Sequence, residues 1–189
     1  MSADFAAERT NMVDSQVRPQ DVTDLSLIDA MRGVAREALA PAGKTWLAYA
    51  DTEIEYAPGR WMLRPRDVAK LLQALRPVAG ERVLAIAAPY AARVLAAMGL
   101  EVTPLDAGAE SPTPGAFALV VCEGAVTRAP AAWLAALADG GRLGVVERDG
   151  PVGRAMLYLR SGDNVGPRVL FDSTPPVLAG FEAEHGFAF

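Results

Sequence analysis

The chain has 189 residues, 51% of them hydrophobic, and a formal net charge of −5. That length suits one domain with a substantial core, and the composition argues against a disordered chain. The negative charge argues against bulk binding of nucleic acid, while a single cysteine (Cys122) and a single histidine (His185) exclude an intramolecular disulfide and leave no basis for a cysteine or histidine metal site or a histidine triad.

In chain order, residues 1–20 are polar and read as irregular. Asp4 and Glu8 lie where a signal peptide would need an apolar core, and the longest apolar runs are far shorter than a membrane span. The expected location is therefore the cytoplasm, with no membrane partner. Thr23 or Asp24 caps a helix carrying Leu25, Ile28, Met31, Ala35 and Leu39 on one face, ended by Pro41 and Gly43. Residues 44–63 are mixed, with Pro58-Gly59 as a turn. Pro65 suits the first turn of a helix with Val68, Leu71, Leu72 and Leu75 on its apolar face. Pro77 and Gly80 close it.

From Val83 the pattern changes. A strand over 82–87, a helix over 90–98 with Gly99 past its end, and a strand over 101–106 lead into a loop with Gly108, Pro112, Pro114 and Gly115. A strand over 117–122 follows, then a helix over 128–138 capped by Thr127 and stopped by Gly140-Gly141. Within that helix Trp133, Leu134 and Leu137 have the spacing of a core face. Strands over 142–148, 153–160 and 167–172 complete the count. Alternating strands and helices followed by a hairpin predict an α/β fold, mostly parallel with an antiparallel edge hairpin. Residues 1–81 are expected as an N-terminal helical segment packed on a core formed by 82–189, in one folded unit.

The most informative stretch is Arg82-Val83-Leu84-Ala85-Ile86-Ala87-Ala88-Pro89-Tyr90-Ala91-Ala92-Arg93-Val94-Leu95. It has the plan of the first strand–turn–helix unit of a nucleotide-binding fold. Such units hold ligands with glycines and with the N–H groups at the helix start. No glycine lies between Arg82 and Met98, and Pro89 removes one donor.

The flanking segments Met12-Val13-Asp14-Ser15-Gln16-Val17-Arg18, Ala30-Met31-Arg32-Gly33-Val34-Ala35-Arg36-Glu37, Ala48-Tyr49-Ala50-Asp51 and Ala69-Lys70-Leu71-Leu72-Gln73-Ala74-Leu75 occur in that order. Gly124-Ala125-Val126, Gly140-Gly141-Arg142-Leu143, Gly153-Arg154-Ala155 and Phe181 follow them. The ordered set resembles the protein-L-isoaspartate O-methyltransferases over residues 11–181. The resemblance implies a Rossmann-like methyltransferase fold, S-adenosylmethionine as cofactor and a protein-repair methylation. Matched to the family's G-x-G-x-G turn, this chain offers only Ala87, Ala88 and Pro89, and the acidic strand position is Ala85. Asp106 occupies the place of a ribose ligand, yet an Asp before Ala-Gly also serves as a turn residue. Only Ala107–Ala116 connects it to the next strand. Ten residues are too few for a helical crossover, so the fold is expected to be reduced by one βα unit, leaving 101–106 as a sheet edge.

Where the family is similar in G-Q-T-I-S-x-P, this chain reads Gly59-Arg60-Trp61-Met62-Leu63-Arg64-Pro65. The hydroxyl positions have become Trp61 and Leu63. The segment reads either as an anion-binding or partner surface through Arg60, Arg64, Arg66 and Trp61, or as a plug of Trp61, Met62 and Leu63 with solvated arginines. Cys122 and Glu123 end a core strand near the ligand end of such sheets. These readings together predict a pseudoenzyme with no catalytic residue, no metal and no cofactor. Its vestigial cofactor site would comprise Asp106, Ala85, Ala87 and Ala88. Its role would be binding to a protein partner or to itself as a homodimer. The alternative is an active S-adenosylmethionine-dependent enzyme, and a small-ligand sensor using the remnant crevice is a third reading.

Overall fold

The computed structural model describes residues 4–108 and 112–182; His185 lies outside the described residues. From Phe5 the chain is helical, contrary to the irregular start expected from its polarity. Asp4 accepts the Ala7 amide and opens α1 (Phe5–Met12), which runs on as a π-helical turn over Val13–Val17. Local amphipathicity is weak here, so tertiary contacts hold the helix. Met12, Val13 and Val17 are buried, and Arg9 donates to Tyr49 Oη at 3.0 Å and to Glu37 Oε1 at 3.1 Å.

Asp24 caps α2 (Leu25–Gly33) by accepting from the Ser26 and Leu27 amides. That helix stops six residues short of Leu39, because Val34 and Ala35 turn extended and let Arg36 enter the interior on a short 3₁₀ turn, Arg36–Leu39. Leu25 is 74% exposed, so it does not belong to the core face, which Leu27, Ile28 and Met31 make instead.

A hairpin of β1 (Ile54–Ala57) and β2 (Arg60–Met62) turns at Gly59, whose φ is +65°. It leads through Arg64 into α3 (Pro65–Leu75), where Val68, Leu71, Leu72 and Leu75 are fully buried as their spacing required.

The central sheet has six strands in the order β4-β3-β5-β6-β7-β8. β3 (Arg82–Ile86) is followed by α4 (Pro89–Ala97) and β4 (Glu101–Leu105), then β5 (Phe117–Val126), α5 (Ala131–Ala135) and β6 (Leu137–Arg148). These four strands are parallel, and β7 (Gly153–Ser161) with β8 (Asn164–Asp172) adds the antiparallel hairpin. β4 is the edge, paired only with β3 among the described residues. Glu101 N donates to Glu81 O, and Leu105 O accepts from Ala87 N. By the alternation of a parallel ladder, the donor that Pro104 lacks faces outward, where nothing requires it.

No helix or strand lies among the described residues of 107–116. This connection returns as a loop whose Ala107 and Ala116 pack with Leu84, Ile86 and Phe117.

The expected boundaries around α5 move. α5 is five residues long rather than eleven, and Leu137, assigned above to a helix face, opens β6 opposite Phe117. Thr127 does not cap it: its hydroxyl donates to Phe181 O, because β5 continues to Val126 and the C-terminal segment packs against that extension. Gly140 and Gly141 lie inside β6, where the pairing shifts register.

The larger apolar cluster draws on both halves of the chain, from Met12 to Leu157. α3 reaches the sheet at Gly144. A Cβ built there would stand 3.0 Å from the terminal carbons of Leu71 and Leu75. Gly144→Val is therefore expected to destabilise the protein by about 1–3 kcal/mol through overpacking, read as a lower urea midpoint with an unchanged m-value.

Candidate functional site

At the C-terminal ends of β3 and β4 a cleft of about 540 Å³ lies between the β1–β2 hairpin and α4. Its wall is mostly methyl groups and proline rings, from Ala57, Pro58, Ala85, Ala87, Ala88, Pro89, Ala92 and Pro104. Ala85, Ala87, Ala88 and Asp106 are therefore brought together as the sequence places them. Ala87 holds the turn at φ +45°, a conformation that costs a Cβ-bearing residue more than glycine.

Four of the amides around this turn, those of Ala87, Tyr90, Ala91 and Ala92, are used within the chain. Pro89 has no N–H. Ala87 N donates to Leu105 O and Ala92 N to Ala88 O. Tyr90 N and Ala91 N donate to Glu123 Oε1 at 3.0 and 2.6 Å. Glu123 is fully buried, and its second oxygen accepts from Leu63 N at 3.0 Å. On the other side of Leu63, the buried Arg36 donates to Leu63 O at 2.6 Å and to Ala48 O at 2.9 Å. Its guanidinium lies 4.7 Å from the centre of the Tyr90 ring. Burial pushes the Glu123 carboxyl up and pulls the Arg36 guanidinium down. Each charge opposes the other's shift, and the three amides also favour the carboxylate.

Asp106 is likewise engaged. Its Oδ1 accepts from Arg60 Nε at 2.9 Å and from Ala107 N at 2.8 Å. Both the turn role and an ionic role are thus present, and the Arg60 hydrogen bond holds its carboxyl below the usual range. Arg60 also donates to Ala179 O at 3.1 Å, tying the hairpin to the C-terminal segment. Ala179 N returns a bond to Gly59 O.

The arginines of this region are neither free for an anion nor simply solvated. Arg64 pairs with Glu53 at 2.7 Å, and Arg66 approaches Asp67 at 3.3 Å and Asp51 at 3.8 Å. Met62 and Leu63 are buried, and Trp61 packs against the apolar cluster that contains Leu84, Ile86 and Phe117.

Of the titratable side chains lining the cleft, Tyr56 is pushed up to about 12, first by burial and then by the Glu123 charge. Neither it nor Asp106 is poised near neutrality for proton transfer. Cys122 is fully buried, and burial raises its thiol. Among the described residues no three His, Cys, Asp or Glu side chains cluster as metal ligands, and no helix is long and apolar enough to cross a membrane.

Reading by motif flagged Glu123 only as a strand-end residue and missed Arg36 and Ala179. A lone carboxylate inside the apolar run Val120–Val126 was the available signal, since a buried charge demands partners.

A mostly parallel sheet with its crevice at the carboxyl ends of the first strands defines a Rossmann-like methyltransferase fold. Solved structures agree. A protein-L-isoaspartate O-methyltransferase from Plasmodium falciparum, in complex with S-adenosyl-L-homocysteine, has a TM-score of 0.72 at 13% identity, covering 90% of this chain and 97% of that one. A second solved structure, of a protein-L-isoaspartate O-methyltransferase, gives 0.72 at 16%, covering 92% of this chain and 67% of that one. No family model matches. The isoaspartate methyltransferase of Methylorubrum populi is 32% identical over 181 residues, covering 81% of this chain and 85% of the relative. That of Methylorubrum extorquens is 38% identical over 105 residues, and enzyme 1 of Rhodopseudomonas palustris 41% over 104. In these two the match spans under half of the relative's length, 46% and 42%. The chain belongs to the protein-L-isoaspartate O-methyltransferase family.

Two outcomes are expected. Arg36→Met leaves the Glu123 charge buried without a counter-charge and should cost about 3–5 kcal/mol. Combining it with Glu123→Gln should recover at least about 0.5 kcal/mol of that cost in a double-mutant cycle. Separately, Asp106 should titrate below the ordinary aspartate range by NMR and move upward in Arg60→Met, because the arginine favours its charged form.

Proposed function

We propose that this chain is a family member that has given up S-adenosylmethionine chemistry and acts by binding protein. The observation that carries this reading is the start of α4. A ligand placed there would compete with Glu123 for the amides of Tyr90 and Ala91, and no third amide waits at Pro89. The methyl-lined turn points the same way, and Arg60 and the Ala107 amide already hold one oxygen of the carboxylate that would take ribose hydroxyls. The residues present therefore do not fit the cofactor as the family resemblance implies it, and no catalytic step is assigned to them. The short 107–116 connection removes the segment from which the adenine side of a pocket would be built. The reading includes a cytoplasmic location and association through the open edge of β4, where exposed residues and an outward Pro104 leave unpaired backbone groups. A homodimer about a two-fold axis is the simplest closed form of that association.

The second reading, an active isoaspartyl methyltransferase, is favoured by the 32% identity that spans most of both chains in the M. populi relative. Calorimetry with S-adenosylhomocysteine separates the two. The proposal expects no heat of binding and no methyl ester formed on an isoaspartyl peptide. A micromolar dissociation constant, or turnover above a no-enzyme control, would establish the second reading in its place.

A further inference from the structure

On the opposite side of the sheet from the β4 edge, α3 stops short of covering the β7–β8 hairpin. Leu157 and Leu159 of β7 and Leu170 and Phe171 of β8 floor a trough of about 560 Å³ beside the last turns of α3. Leu157 is buried, but Leu159 is 45% exposed, so the apolar floor continues into solvent. Three cations stand around it: Lys70 and Arg76 from α3 and its C-cap, and Arg168 from β8. Lys70 lies 4.6 Å from the centre of the Phe171 ring. Among the described residues none of these three has a carboxylate within ion-pairing distance, unlike Arg142 in the same wall, which Glu81 holds at 2.8 Å. Asp21 is the one carboxylate residue in the lining.

In a chain of net charge −5, an apolar floor ringed by three cations without a carboxylate partner among the described residues is a local inversion of the surface. Stray apolar side chains on a surface need no explanation, but a contiguous floor does. Burying it against neutral protein would strand the cations, whereas a partner carrying carboxylates beside apolar side chains would satisfy both. Nucleic acid matches the cations but offers nothing to four apolar side chains.

We propose that this trough docks an acidic, amphipathic segment of a partner protein, its apolar side chains on Leu157, Leu159 and Phe171 and its carboxylates facing Lys70, Arg76 and Arg168. The assignment rests on the protein-binding half of the reading above, and it concerns a surface separate from the cofactor cleft. It therefore fails or stands independently of the calorimetry with S-adenosylhomocysteine.

The test uses the full chain and a fluorescein-labelled helical peptide with leucines on one face and glutamates on the other. A counterpart with lysines in place of the glutamates serves as control. Anisotropy is expected to give a micromolar dissociation constant for the glutamate peptide, weakening as salt screens the contacts, and no binding of the lysine peptide. Lys70→Glu with Arg168→Glu should weaken binding by about tenfold or more, and Leu159→Ser should weaken it as well. Circular dichroism should show all variants folded; a variant that is not is replaced by Arg76→Glu, which is subject to the same expectation. Absence of binding to the wild-type chain, equal binding of both peptides, or binding unaffected by charge reversal would each overturn the assignment. So would displacement of the bound peptide by single-stranded RNA, or a dimeric mass that the charge reversals abolish.

Discussion

The arrangement depends on a carboxylate buried in the middle of the molecule. Glu123 reaches from within β5 to two amides of α4 and to the amide of Leu63, and so fastens the strand, the helix and the hairpin-to-α3 connection at one point. An ionised group there is tolerable only because three amides meet it and the guanidinium of Arg36 lies on the other side of Leu63. Arg36 supplies that charge and binds the carbonyls of Ala48 and Leu63. This explains why α2 ends where it does: the chain must turn extended at Val34 and Ala35 for residue 36 to face inward. The N-terminal segment is thereby linked to the sheet by polar contacts as well as by apolar packing.

The same carboxylate changes what the fold offers at its crevice. A helix N-terminus at the end of a parallel strand concentrates unmet N–H groups and partial positive charge. Here those groups are met from inside, by a side chain of the neighbouring strand. Arg60 performs the complementary closure at the outer lip, binding Asp106 and the backbone of the C-terminal segment at Ala179. The cleft that remains is bounded by methyl groups and by an ion pair already made, a surface with shape but few directional contacts to give.

The reduction of the sheet has a similar economy. A loop replaces a helical crossover, and small side chains at Ala107 and Ala116 suffice to seal the face around Leu84, Ile86 and Phe117. The edge it exposes carries proline where the missing donor faces outward. At the other edge the β7–β8 hairpin is only partly roofed by α3, and the apolar residues left there are bordered by cations. The two ends of the sheet thus differ in character, one polar in its backbone and the other apolar and basic in its side chains.

Periodicity determined much of this architecture by itself. The apolar face of α3, the strand–turn–helix unit at 82–97, the ten-residue connection and the edge position of β4 are local or countable features, so spacing and turn chemistry expressed them. The family was legible for the same reason, in short motifs kept in order. What the tertiary structure alone decided were features set by partners distant in sequence. α1 forms because Arg9 finds Tyr49 and Glu37, although its own pattern is weak. α5 is short because strand pairing claims Leu137 and the C-terminal segment draws out β5. Asp106 meets Arg60 across 46 positions, and Glu123 meets the α4 amides across 32 and 33. A sequence states which charges must be compensated; only folding brings the compensating groups within reach.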